Sequence, residues 1–172
     1  MQRNKMPLDN LTACIGFGGG CHWCTESIFQ QLIGVTQVNQ EFIASIPPHD
    51  NYSEAVSVAF NPSIIALDIL LDIHLRTHAS GANHSMRDKY RSAVYVTGKA
   101  QRAAVQSSFD KLQQGFETLR ITQILDWVDF KPSDSQFQNY YKTDPARPFC
   151  QTYIDPKLDM LRTKYTRFIV SA

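Results

Sequence analysis

Apolar positions along the chain switch between a strand period and a helix period, and each switch marks an element. "LTACIGFGG" is a short apolar run ending in glycines, which predicts a buried strand leading into a tight turn, with Cys14 as a small buried hydrophobe within it. In "WCTESIFQQLIGV" the residues Ile28, Phe29 and Leu32 fall at helical spacing, and Gly34 supplies a stop. "VTQVNQEFIASIPPH" alternates loosely and breaks at Pro47 and Pro48, a strand followed by a loop. "YSEAVSVAF" alternates cleanly and ends at Asn61-Pro62, a second strand of this pair. "SIIALDILLDIHLRTHA" is the strongest amphipathic helix pattern, followed by the polar loop "SGANHSMRDKY". "SAVYV" predicts a strand, "AQRAAVQSSFDKLQQGF" a long helix and "TQILDWVDF" one more strand.

Strands and helices interleaved in this order predict an α+β fold, a two-layer sandwich with helices packed on a mixed, mostly antiparallel sheet. From "KPSDSQFQNYYKTDPARPFCQTYIDPKL" onward the periodicity is poor and prolines are frequent. That segment is expected to wrap the core as an irregular tail of loops and short turns, before a last helix around Asp155 to Tyr165. A chain of 172 residues suits one domain spanning 1–172, with residues 1–10 expected to be flexible.

Composition narrows the function classes. The formal net charge is +1, so no field points to nucleic acid or to an anionic membrane. No apolar run is long enough for a membrane helix, and "MQRNKMPLDN" lacks the apolar core of a secretory signal. A cytoplasmic, monomeric protein with reduced thiols is the expectation. The chain has 4 cysteines, Cys14, Cys21, Cys24 and Cys150, too few for a disulfide-stapled scaffold.

Cys21 is the sharpest chemical candidate. It follows Gly18-Gly19-Gly20 and opens a helix, where the dipole favours a thiolate. Trp23 places an aromatic wall beside it, and Cys24 completes a Cys-x-x-Cys pair of the kind that is redox-active or metal-binding. "GFGGG" precedes a helix, but its spacing fits neither common phosphate-loop fingerprint and no lysine follows. His74 and His78 share a helix face and His84 follows, yet without a second Cys-x-x-Cys a structural zinc site is not expected. Glu54 shares a strand face with Val56 and Val58. A carboxylate there is costly unless protonated or paired, which suits an acid with a raised pKa. In the loop before "SAVYV", Tyr90 is placed to aim its hydroxyl inward.

Together "GGGCHWCTE", "YSEAV", "KYRSAVY" and "RPFCQTYIDPKL" resemble the peptide methionine-S-sulfoxide reductases, in the right order and at similar spacing from Cys14 to Leu158. The resemblance implies a ferredoxin-like core. It makes Cys21 the nucleophile, Trp23 the methyl-pocket wall, Glu54 the acid that protonates the sulfoxide oxygen and Tyr90 a hydroxyl bonded to that oxygen. Cys150 matches the first recycling cysteine. The chain also departs from the family: His22 stands where the family has Phe, Phe42 where it has a second oxygen-binding Tyr, and Ser85 where it has Asp. Gln136 to Gln138, "QFQ", replaces Tyr-His-Gln, and Tyr52 is a candidate replacement hydroxyl.

The implied function is reduction of methionine-S-sulfoxide, free or in oxidised proteins and peptides, through a Cys21 sulfenic acid. An intramolecular disulfide with Cys24 or Cys150 follows, recycled by thioredoxin or another dithiol and with no bound cofactor or metal. Two other readings remain open: a thiol–disulfide oxidoreductase using Cys21 and Cys24, and a non-catalytic methionine-sulfoxide-binding protein.

Overall fold

A computed structural model describes residues 12–171; the N-terminal stretch expected to be flexible lies outside them. The elements follow as β1 (Ala13–Gly18), α1 (His22–Gln30), β2 (Val35–Ala44), β3 (Ser53–Phe60), α2 (Leu67–Thr77), β4 (Ala93–Val96), α3 (Lys99–Gln113), β5 (Gln123–Asp126), β6 (Asp129–Pro132), α4 (Tyr140–Thr143) and α5 (Asp155–Lys164). A π-helical turn, Cys150–Ile154, runs straight into α5.

The sheet order is β5-β4-β1-β3-β2-β6. The central four strands pair antiparallel, the ferredoxin-like arrangement, and β5 adds parallel to β4. Strand alternation sorts side chains between two faces. Ile15 and Phe17, Val56 and Val58, and Val94 and Val96 bury against α1, α2, α3 and α5 in one core. On the other face Ile43, Ala55, Ala93 and Tyr95 form a smaller cluster with Leu125 and Trp127. Cys14 falls on that second face and is exposed, a correction to its expected burial; its β1 neighbours Ile15 and Phe17 take the core side instead.

"TQILDWVDF" holds two strands rather than one, and they lie on opposite edges of the sheet. Flat, six strands at ~4.8 Å spacing would separate those edges by roughly 24 Å, whereas three residue steps reach at most ~11 Å. The sheet therefore curls until its edges meet, and the two linking residues bond to both sides. Trp127 N donates to Val96 O at 3.0 Å and Val128 N to Ala44 O at 3.1 Å. An unbroken apolar pattern hides such a crossing, because periodicity reports burial and not partner.

The register brings the candidate residues to one end of the sheet. Gly18 pairs with Ala55 and with Ala93, and Phe42 with Glu54. Glu54 shares the helix-covered face with Val56, as the alternation requires, and lies beneath the first turn of α1.

Candidate active site

Cys21 is the N-cap residue of α1, with φ −59° and ψ 127°. Its carbonyl accepts from Cys24 N at 3.1 Å and Thr25 N at 3.3 Å, leaving the thiol free at the positive end of the helix. The three glycines before it stand at different places for different reasons. A Cβ on Gly18 would lie 3.0 Å from Arg91 O and 3.1 Å from Glu54 O, and one on Gly19 would collide with the His78 ring. A Cβ on Gly20 would meet nothing within 4 Å. Close approach, at the first two, is what the run permits.

Cys21 and Cys24 line a cavity of about 380 Å³ with His78, Tyr90, Phe149 and Lys157. The two thiols line the same cavity, and their proximity sets their ionisation. It pushes Cys21 up and Cys24 down, burial raises both, and Lys157 on the cavity wall favours the Cys24 thiolate. These directions favour the thiolate on Cys24 over Cys21, against what the helix position of Cys21 had suggested. Cys150 is fully buried, with its Sγ 3.7 Å from the Asp144 carbonyl, and close enough to Cys24 for their charges to interact.

A second cavity, of about 290 Å³, opens on the other side of the α1 terminus. His22, Trp23, Phe42, Glu54 and Phe137 line it. His22 Nε2 lies 3.2 Å from Glu54 Oε1. Burial pushes His22 down, against the pull of the Glu41 and Ala55 carbonyls. Burial pushes Glu54 up, against Lys89 and Tyr90 nearby. Both shifts oppose ionisation, and burial therefore disfavours an ion pair at this contact. Glu54 is near enough to Cys21 for its charge to oppose the Cys21 thiolate.

The tail completes the site. Trp23 stacks on Tyr140 with ring centroids 4.0 Å apart and meets the edge of Phe149 at 5.3 Å. Glu26 on α1 holds that segment, its buried carboxylate accepting from Gln40 Nε2 at 2.8 Å, Asn139 N at 3.0 Å and Tyr140 N at 3.1 Å.

Two cysteines at a helix N-terminus, near a buried acid and an aromatic wall, are the setting in which comparison with known proteins becomes decisive. The family model described as peptide methionine sulfoxide reductase matches residues 13–168. The chain belongs to the peptide methionine sulfoxide reductase family. Curated relatives named peptide methionine sulfoxide reductase MsrA include one from Deinococcus radiodurans, 32% identical, covering 87% of this chain and 80% of its own. Another, from Nitratiruptor sp., is 31% identical and covers 88% of this chain and 95% of its own. Among solved structures, reduced Mxr1 from Saccharomyces cerevisiae superposes with a TM-score of 0.67 at 20% identity, over 83% of this chain and 91% of that one, a likeness in fold.

Set against the reductase family pattern, the structure gathers Cys21, Cys24 and Tyr90 at one cavity and His22, Trp23, Phe42 and Glu54 at its neighbour. It does not bring Tyr52 or Ser85 to either. The Tyr52 hydroxyl donates to the Asp129 carboxylate and its ring lies under Lys131, so it is spent at the β2–β6 edge. Ser85 is exposed in the polar loop. Phe42 packs against the His22 ring at 5.1 Å and brings no hydroxyl.

His74 and His78 stack at 4.2 Å, and His78 Nε2 meets Ser92 Oγ at 2.7 Å. Burial pushes His78 down to about 4. Among the described residues no group of three His, Cys, Asp or Glu side chains is arranged to hold a metal. Lys157, Phe149, Tyr140 and Glu26 were missed from the sequence. Only Lys157 carried a signal there, in the Pro-Lys that follows Cys150.

Proposed function

We propose that the chain, as one domain, reduces methionine-S-sulfoxide in peptides and proteins. The observation that carries this reading is the placement of Cys21 and Cys24 at the N-terminus of α1 on one cavity, with the buried Glu54 carboxyl nearby. A sulfoxide oxygen becomes a leaving group only when it is protonated. A carboxyl whose ionisation burial opposes is suited to that work, and placed acids typically contribute about 10²–10⁴-fold. Cys21 attacks the sulfoxide sulfur, Glu54 gives a proton to the oxygen, Tyr90 hydrogen-bonds that oxygen and Trp23 contacts the methyl group. Methionine leaves, reduced by two electrons, and Cys21 is oxidised to the sulfenic acid.

Cys24 then condenses with that sulfenic acid, releasing water, because it lines the same cavity one turn along α1. Cys150 follows by thiol–disulfide exchange, and a dithiol such as thioredoxin reduces the product. A structure of the yeast protein Mxr1 in complex with Trx2, 18% identical with a TM-score of 0.57, shows that fold engaging such a partner. Exchange of this kind suits the cytoplasm, where thiols stay reduced. No helix among the described residues is long and apolar enough to cross a membrane.

The test is reduction of the separate S and R epimers of a blocked methionine sulfoxide with thioredoxin and its reductase. Turnover of the S epimer alone is expected, and turnover of neither would end the reading. The thiol–disulfide oxidoreductase reading draws on the same thiol pair, but makes Glu54 irrelevant. Under it, Glu54→Gln would keep full activity on disulfide substrates while no sulfoxide was consumed.

A further inference from the structure

We propose that His22 is a positioning residue for the acid. Its ring, fixed by the Glu41 carbonyl, presents Nε2 as the acceptor that keeps the proton on Glu54 until a sulfoxide oxygen replaces it. The inference rests on the reductase reading above.

The ring orientation decides the tautomer. His22 Nδ1 lies 3.1 Å from the Glu41 carbonyl oxygen, which can only accept, so Nδ1 carries a hydrogen. A neutral ring then has its lone pair on Nε2, 3.2 Å from Glu54 Oε1. An ionised Glu54 would set two acceptors face to face where the residues are only 4% and 9% exposed. A proton on Oε1 converts that clash into a hydrogen bond. The other arrangement with the same proton count, imidazolium against carboxylate, separates charge in a buried site and is opposed by the desolvation of both groups. The proton therefore belongs to the pair, and it leaves at a pH that neither residue alone would set.

Glu54 Oε2 is buried and has no partner, which marks the open position for an incoming oxygen. With sulfoxide bound there, rotation of the carboxyl carries the proton from Nε2 to the sulfoxide oxygen. The Cys21 sulfur supplies the electron pair as its thiol proton passes to Cys24, the sulfur–oxygen bond of the substrate breaks, and the protonated oxygen ends on Cys21 as sulfenic acid. Glu54 is left as a carboxylate facing Nε2, and the pair regains one proton from water before the next turnover.

The charged and titratable groups around the pair are few. The loop before β4 contributes Lys89, which favours the carboxylate, and Tyr90. The α1 terminus contributes the Cys21 and Cys24 thiols, and the segment after β6 contributes Asp134. The Glu41 carboxyl bonds to Ser57 on the opposite face of the sheet, so β2 offers the pair only its backbone and Phe42.

His22→Gln places an amide N–H where Nε2 stands, a donor that favours the carboxylate. Single-turnover methionine formation, without reductant, is measured across the pH range for this variant and the wild type. The expected result is near-equal rates at about pH 5.5 and an alkaline limb moved about one unit to lower pH, a roughly tenfold loss at about pH 8. His22→Asn keeps the donor to the Glu41 carbonyl, and is expected to fold and to lose the high-pH limb similarly. Independently of activity, ¹⁵N spectra of histidine-labelled reduced protein should show His22 protonated at Nδ1 and bare at Nε2 at neutral pH, with Glu54→Gln moving the Nε2 signal. A uniform slowing with an unchanged pH profile, or a ring protonated at both nitrogens, overturns the proposal. Absence of methionine from the wild type at every pH overturns the reductase reading instead, and the spectra still report the pair.

Discussion

Gly19 lies so close to His78 that a Cβ on it would stand 2.3 Å from the ring carbon Cδ2. The ring cannot retreat easily, because it stacks on His74 and its Nε2 is bonded to Ser92. The glycine run before Cys21 therefore lets a histidine pack against the backbone that carries the nucleophile.

Gly19→Ala is expected to destabilise the protein by about 1–3 kcal/mol, the usual cost of overpacking. Urea unfolding measures it. In a His78→Ala background the added Gly19→Ala should cost little beyond His78→Ala alone, since the atoms that the new methyl meets are gone.

Glu26→Ala removes the acceptor that serves two tail amides and Gln40. Leaving buried donors unmet costs about 1–3 kcal/mol each. Stability should fall accordingly, and the Trp23 emission should shift as Tyr140 leaves its ring, which fluorescence of a Trp127→Phe background reads directly.

Glu41 is buried, its Oε1 accepts from Ser57 at 3.0 Å, and its Oε2 has no partner. Burial pushes its carboxyl up. The folded protein therefore binds this proton more tightly than the unfolded chain. Its contribution to stability is present below the ordinary carboxylate range and is lost as pH rises through the raised value. Glu41→Gln should raise the thermal midpoint at about pH 8 and leave it unchanged at about pH 4, the difference appearing across the carboxylate range.

Glu54→Gln keeps the shape and removes the proton. Methionine formation in a single turnover should slow by about 10²–10⁴-fold, with binding of the sulfoxide little altered. In the wild type the rate should fall as pH rises through the raised Glu54 value, because only the protonated form acts.

Local chemistry was legible in the sequence where it depended on local geometry. Alternation placed Glu54 on the face of Val56, and the helix start placed Cys21 at its cap; both positions are found. Contacts across long stretches of chain were not legible. Tyr140 reaches Trp23 through a tail without periodicity, held by Glu26 from another element. Tyr52 looked available until β6 brought Asp129 beside it. The two thiols show the same limit, since helix position alone argued for a Cys21 thiolate, whereas the neighbouring Cys24 pushes Cys21 up.

The most direct measurement is a single turnover on blocked methionine-S-sulfoxide without reductant, in wild type, Cys21→Ser, Cys24→Ser and Cys150→Ser. About one methionine per chain is expected from all but Cys21→Ser, which should give none. In Cys150→Ser the product should carry a Cys21–Cys24 disulfide. Methionine formed by Cys21→Ser, or none formed by the wild type, would contradict the assignment of Cys21 as the nucleophile of a sulfoxide reductase.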